Sequence, residues 1–313
     1  MMYVMMRLVK KNILLSISSA QTPVPQRGLS RFFVWCIYIM FLLYCTSEAM
    51  SAQQLRIAAA SDLQWAMNDL ATAFRAAHPN ASIDAVYGSS GNFTAQIRAG
   101  APFDAFFSAD TDYPQMLENA GLTVGARREY ARGQIVLWAV REDILNILKK
   151  VLGKQDIQSP STLPSVTIVK FLTQPEIKRI AIANPAHAPY GKRAKEFCAA
   201  LTKDVSVEKK LETKFVLADN VAQAAQLVGT GAADCGIVSL SLVLAPVYAG
   251  KGVWTLLDST RYSPLRQAAV VIKSRPNVAL AEEFVRFVCS AEGARILARY
   301  GFRSFQSETL NKN

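Results

Sequence analysis

Four short segments join the pattern of a strand end to the pattern of a helix start, and each carries small hydroxyl, amide or glycine residues. They are Ala60-Ser61-Asp62, Gly88-Ser89-Ser90-Gly91-Asn92, Pro189-Tyr190-Gly191 (opening a helix at Lys192) and Asp219-Asn220-Val221. The first turn of a helix leaves backbone N–H groups without partners and carries the positive end of the helix dipole. Such junctions are therefore equipped to hold an anion. In open α/β sheets ligands gather beyond the carboxyl ends of strands, where these junctions fall. A lone serine there is equally an N-cap, and Ser61 with Gln64 fits a capping box. Only convergence of several junctions on one cleft would make a binding site.

Other chemistries find less support. Ser61, Asp62 and His78 are the residue types of a hydrolytic triad, but no G-x-S-x-G elbow accompanies them. His78 closes a helical pattern beside Pro79, a poor place for a base. His187, before Tyr190, is expected to be structural or solvent-exposed. No P-loop or dinucleotide fingerprint is present. With two histidines in the chain and no metal-ligand spacing among the cysteines, a zinc site is not expected. Neither catalysis nor a cofactor is expected.

The elements that would position these junctions alternate. Leu55–Ala60, Ile83–Tyr87, Phe103–Phe107, Ile135–Val140, Ile180–Ala183, Lys214–Leu217 and Cys235–Val238 have strand character. Between them Leu63–His78, Phe93–Ala99, Tyr113–Ala120, Lys192–Leu201 and Val221–Val228 have helical periodicity, as does Ala279–Tyr300. Alternation of this kind predicts an α/β fold with mainly parallel strands. Between Ile144 and Thr173 the pattern weakens, and Lys149-Lys150, Gly153, Ser159-Pro160 and Pro164 suggest a surface insertion over about 146–172.

The 313 residues carry a formal charge of +11. Of 35 basic and 24 acidic side chains, Arg7, Lys10, Lys11, Arg27, Arg31 and Glu48 precede residue 53, leaving 30 against 23, a net +7. The remaining Lys and Arg are scattered, without a nucleic-acid-binding motif, so no nucleic-acid partner is expected. From Phe32 to Cys45 the sequence holds no charge. That run is shorter than the about 20 residues that span a bilayer and suits the apolar core of a signal peptide. Ser47, Ala49, Ser51 and Ala52 supply small residues for cleavage after Ala49 or nearby, and an uncleaved anchor is the alternative. Tyr44, where a lipoprotein needs a small residue before Cys45, disfavours a lipid anchor. After removal of 1–52, Cys198, Cys235 and Cys289 remain, enough for one disulfide at most. Cys198 and Cys289 sit in apolar helical patterns as small buried hydrophobes.

The ordered set AAASDLQ (Ala58–Gln64), GSSGNFTAQI (Gly88–Ile97), GAPFDAFFSAD (Gly100–Asp110), IAIANPAHAPYG (Ile180–Gly191) and RYGF (Arg299–Phe302) resembles the periplasmic molybdate-binding components of ABC importers. The similarity spans roughly Leu55 to Phe302. It implies a two-lobed, type II-like periplasmic-binding-protein fold, with a hinge of two crossing segments and the ligand between the lobes. By analogy 53–135 plus 267–306 form lobe 1, 136–266 form lobe 2, and 307–313 are a tail.

The resemblance further implies a monomer that binds molybdate or tungstate in the periplasm and serves a membrane permease with its cytoplasmic ATPase. It places oxyanion contacts at the hydroxyls of Ser61 and Ser90, with Ser89 as neighbour, and at the main-chain N–H groups of Tyr190 and Val221. These contacts reach the oxygens of the ion, never the metal atom. Many relatives carry a tyrosine after the Gly236-Ile237-Val238 strand; this chain has Ser239, which leaves the last contact open. Asp62 fits less easily. A carboxylate facing a dianion repels it but could accept a proton from hydrogen phosphate, which keeps phosphate, with sulfate, as a rival ligand. The expected arrangement has Asp62 capping its helix or pointing away, with its amide N–H toward the ion.

Overall fold

The computed structural model describes residues 53–153, 161–202 and 204–304. The leader 1–52, with its apolar run and cleavage window, and the tail 307–313 lie outside the described residues. In chain order the first half holds β1 (Gln53–Ala60), a 3-10 turn at Ser61–Leu63, α1 (Gln64–Ala77), β2 (Ala81–Gly88), α2 (Ser90–Arg98), β3 (Ala105–Ser108), α3 (Asp112–Asn119) and β4 (Thr123–Gly133). Next come β5 (Ile135–Ala139), α4 (Glu142–Leu152), β6 (Ser161–Thr162), α5 (Ser165–Leu172), β7 (Ile180–Ala183), α6 (Pro189–Ala200) and α7 (Val205–Glu212). The chain continues through β8 (Phe215–Ala218), α8 (Val221–Gly229), β9 (Cys235–Ser239), α9 (Leu240–Val243) and β10 (Val253–Leu256). It ends with β11 (Leu265–Ile272), α10 (Val278–Val288) and α11 (Ala291–Arg299).

Two sheets result, in the orders β2-β1-β3-β11-β4 and β6-β10-β5-β9-β7-β8. The strands that feed the four junctions, β1, β2, β7 and β8, pair in parallel within their sheets. All four junctions therefore stand at carboxyl ends. In the first sheet both faces are covered. Leu55, Ile57 and Ala59 enter one core with Phe74 and Phe284, while Ala58 enters another with Phe93 and Phe106. Successive side chains of a strand point to opposite faces, so β1 is apolar at nearly every position.

The chain crosses between the sheets twice, once at Gln134 and once over 257–264. Ile135, expected in lobe 1, is the first residue of β5 in the second sheet; Leu265 and Arg266, expected in lobe 2, belong to β11 in the first. β4, β10 and β11 were not anticipated as strands. Within the stretch expected as a surface insertion the structure differs more. Ile168, Phe171 and Leu172 of α5 are fully buried in the core of the second lobe, with Ile144 and Leu148 of α4 beside them. The polar and proline residues that break the pattern are the connections; the apolar faces on either side cover the second sheet.

Cys198, Cys235 and Cys289 are free thiols, the first two buried and Cys289 half-buried. Burial pushes the Cys198 thiol up to about 12 and the Cys289 thiol up to about 11, so both stay protonated near neutral pH.

Candidate functional site

All four junctions line one cavity between the two sheets. Its walls include Ser61 and Asp62, Ser89 and Ser90, Pro189 and Tyr190, and Asn220 and Val221. Each of these residues is almost wholly buried. The empty space is about 190 Å³. None of the lining residues is basic. A wider groove, about 920 Å³, is also lined by Ser61 and Asn220. The helix-start N–H groups nearest to it, those of Ala222 and Gln223, already bond the Asn220 side chain. The small cavity is therefore the candidate site.

Each junction contributes differently. Ser61 does not cap: the 3-10 turn has no side-chain cap, and the Ser61 hydroxyl accepts across the cleft from the Ala222 N–H at 3.2 Å. Ser90 Oγ accepts from the Ala109 N–H at 3.0 Å. A hydroxyl that accepts from an N–H keeps its own hydrogen to donate, so both serines retain a donor for a ligand. Ser89 precedes α2 and pairs with His187 Nδ1 at 3.0 Å. Pro189 takes the first position of α6, where its missing N–H costs nothing. The helix thus begins before Lys192, and the Tyr190 N–H falls among the unpaired first-turn donors. At α8 the Asn220 side chain accepts from the N–H groups of Ala222 and Gln223, which leaves the N–H of Val221 outside the cap.

Asp62 is placed otherwise than expected. It neither caps a helix nor points away. Its Oδ2 accepts from the Tyr190 hydroxyl at 2.9 Å and from Gln267 Nε2 at 2.6 Å, while Oδ1 is buried without a hydrogen-bond partner. Burial raises its carboxyl to about 6, against opposing hydrogen bonds from Gln267 and Tyr190. The Tyr190 phenol is pushed well above its ordinary range, first by burial and then by Asp62, so it stays a neutral donor. Ser239 is not in the cavity wall. It caps α9 by accepting from the Ser241 N–H, and the Ser241 hydroxyl in turn donates to the Asp62 carbonyl at 2.7 Å.

The sequence reading missed several residues that join the lobes. The Gly91 N–H donates to the His187 carbonyl at 2.9 Å, and Asn92 Nδ2 to Asp219 Oδ1 at 3.0 Å. His187 is thus a cleft contact rather than a solvent-facing loop residue. At Gly91 a Cβ would meet His187 at 2.8 Å, so only glycine allows this approach. Gln267 is fully buried in β11 and also accepts from the Tyr130 hydroxyl at 2.8 Å. A glutamine leading directly into the apolar run Ala268–Ile272 was the available signal, since a buried amide needs partners.

The triad reading is excluded by position. His78 stacks on Phe74 with ring centroids 4.1 Å apart, beside Glu283, at the opposite end of α1 from Ser61. Fourteen helical residues separate them, about 1.5 Å each along the axis.

Comparison with known proteins agrees with this architecture. The molybdate-binding protein ModA of Azotobacter vinelandii is 30% identical over 262 residues, which cover 83% of this chain and 93% of that one. The solved structure titled as the periplasmic molybdate-binding protein of the same organism matches with a TM-score of 0.67 at 29% identity, covering 80% of this chain and 100% of that one. The sulfate-binding protein SubI of Mycobacterium tuberculosis shares the fold at 15% identity, with a TM-score of 0.64 over 83% of this chain and 89% of that one. Residues 55–303 match the model of the bacterial extracellular solute-binding proteins, and the chain belongs to that family.

Proposed function

We propose that this protein captures molybdate, and tungstate with it, in the cleft between its lobes and hands the ion to the membrane permease of an ABC importer. The observation that carries this reading is the convergence of four helix starts, with free hydroxyl and N–H donors and no basic side chain, on one small buried cavity. Molybdate is a dianion without protons near neutral pH, so a site of neutral donors suits it. Such donors avoid the cost of burying an unpaired cation before the ligand arrives. Ser61, Ser90 and the N–H groups of Tyr190 and Val221 are the contacts; Ser89 borders them, and Ser239 supports the wall from behind. The identity to molybdate-binding relatives over most of the chain supports the same ligand.

Hydrogen bonds to a charged group contribute about 1.5–3 kcal/mol each. About half a dozen, less the costs of association and closure, reach micromolar affinity, about −8 kcal/mol. The protein acts as a monomer in the periplasm after removal of its leader, needs no cofactor and catalyses nothing. Phosphate is the second reading, and Asp62 is the observation in its favour, because an ionised Oδ1 could accept a proton from hydrogen phosphate. Calorimetric titration of purified protein with molybdate and with phosphate at neutral pH separates the two. Tighter binding of phosphate would replace the molybdate reading.

A further inference from the structure

Asp62 is the acidic side chain in a wall made otherwise of neutral groups. The groups that bear on its carboxyl are uncharged. Tyr190 reaches it from the second lobe and Gln267 from β11, and Gln267 is itself held by Tyr130 of β4. Both donors converge on Oδ2. A Cβ at Gly133, the last residue of β4, would stand 2.2 Å from the Tyr190 hydroxyl, so the chain keeps this corner clear for the phenol. Oδ1 is left buried and without a partner. An ionised carboxylate is an acceptor at both oxygens, whereas a carboxylic acid accepts at one and donates from the other. Two side-chain donors on one oxygen and none on its twin match the acid.

We propose that Asp62 holds the oxyanion as a neutral carboxylic acid, with its proton on Oδ1 donated to an oxygen of the ligand. This rests on the oxyanion-site reading above and adds to it the protonation state that selects the ion. The proton comes from solvent before the cleft closes and stays on Asp62 while the ion is bound, so one proton enters with each dianion. Burial already favours the acid form, and an adjacent dianion shifts the carboxyl further in the same direction. The site then prefers an ion whose oxygens are all acceptors. Hydrogen phosphate brings its own hydroxyl, which would face the Oδ1 proton donor to donor. The other titratable groups around the cavity are Asp110, next to the lining residue Ala109 and hydrogen-bonded to Ser108, and His187, at the rim against Ser89 and 3.8 Å from Asp219.

The test is a proton inventory. The purified protein is titrated with sodium molybdate by calorimetry at pH 7.5, in two buffers of different ionisation enthalpy, and again from pH 6 to 8.5. The expected result is uptake of about one proton per ion, with affinity falling by up to about tenfold per pH unit above the carboxyl's pKa. Asp62→Asn, whose amide supplies a permanent donor in place of the acid proton, is expected to take up no proton and to lose the pH dependence. Molybdate binding to the parent with no net uptake and a flat pH profile would overturn the proposal, as would uptake that persists unchanged in Asp62→Asn, which would place the proton at His187 or Asp110. Absence of molybdate binding at every pH would instead overturn the ligand assignment, so the two failures are distinguishable.

Discussion

Ser61 and Ser90 occupy equivalent places at two strand ends, yet their removal should differ in kind. Each alanine substitution should weaken molybdate binding by about 1.5–3 kcal/mol, the value of a hydrogen bond to a charged group, measurable by calorimetry. Ser90→Ala also strands the buried Ala109 N–H, whose acceptor it removes; an unsatisfied buried donor costs about 1–3 kcal/mol, so the unliganded protein should melt lower. In Ser61→Ala the Ala222 N–H keeps the Asn220 side chain, and the melt should hardly move. Equal melting shifts for the two variants would contradict these hydrogen-bond assignments. The two serines were legible from residue type and position alone. The partners of Asp62 were not, because Tyr190 and Gln267 are 128 and 205 residues away in sequence, Tyr190 across the cleft and Gln267 on a strand of the same sheet that returns late in the chain.

Tyr190 shows why a side chain and its own backbone must be kept apart. Its N–H is a first-turn donor, while its hydroxyl bonds Asp62 across the cleft. Tyr190→Phe keeps the former and removes the latter, so it should lower affinity modestly, by about 1 kcal/mol, through loss of an interlobe contact. Tyr190→Pro also deletes the N–H and should bind far more weakly. The diagnostic measurement is Tyr190→Phe in an Asp62→Asn background, titrated beside both single variants. A phenol that acts only through Asp62 gives effects that fail to add, whereas full additivity would mean that it acts elsewhere.

At the scale of elements, the hinge strands determine whether the walls can meet. β4 runs into β5 through Gln134 alone, and Gly133 lies under the Tyr190 hydroxyl. Gly133→Ala should therefore hold the cleft ajar and lower molybdate affinity by tenfold or so, about 1.4 kcal/mol, while each lobe keeps its own core. Small-angle scattering with saturating molybdate should show a larger particle than the liganded parent. Identical scattering and affinity would mean that the hinge has slack that the static geometry does not reveal. Strand–helix alternation made the parallel parts of both sheets legible in sequence. β4 and β11 escaped because they are long hinge strands, with the exposed charges Arg128 and Arg266 and the half-buried Glu129 among their apolar positions. α5 escaped because Pro164 and the residues around Gly153 interrupt an apolar pattern that resumes immediately afterwards.

At the scale of the whole molecule, the two-lobed plan came from the ordered motifs rather than from periodicity. No local pattern says which junctions face one another across a cleft. The uncharged run Phe32–Cys45 and the small residues after it predict export, and mass spectrometry of the exported form should find its amino terminus between about Ala49 and Ala52; a full-length chain retained in the membrane would refute that processing. The central claim is that the buried cavity is built for an unprotonated tetrahedral oxyanion. Its most direct test is calorimetric titration of the mature protein, at pH 7.5 and matched ionic strength, with molybdate, tungstate, sulfate and phosphate in turn. One site per monomer is expected, with micromolar or tighter binding of molybdate and tungstate and weaker binding of the other two ions. Phosphate or sulfate binding more tightly than molybdate, or no binding of molybdate at all, would contradict it.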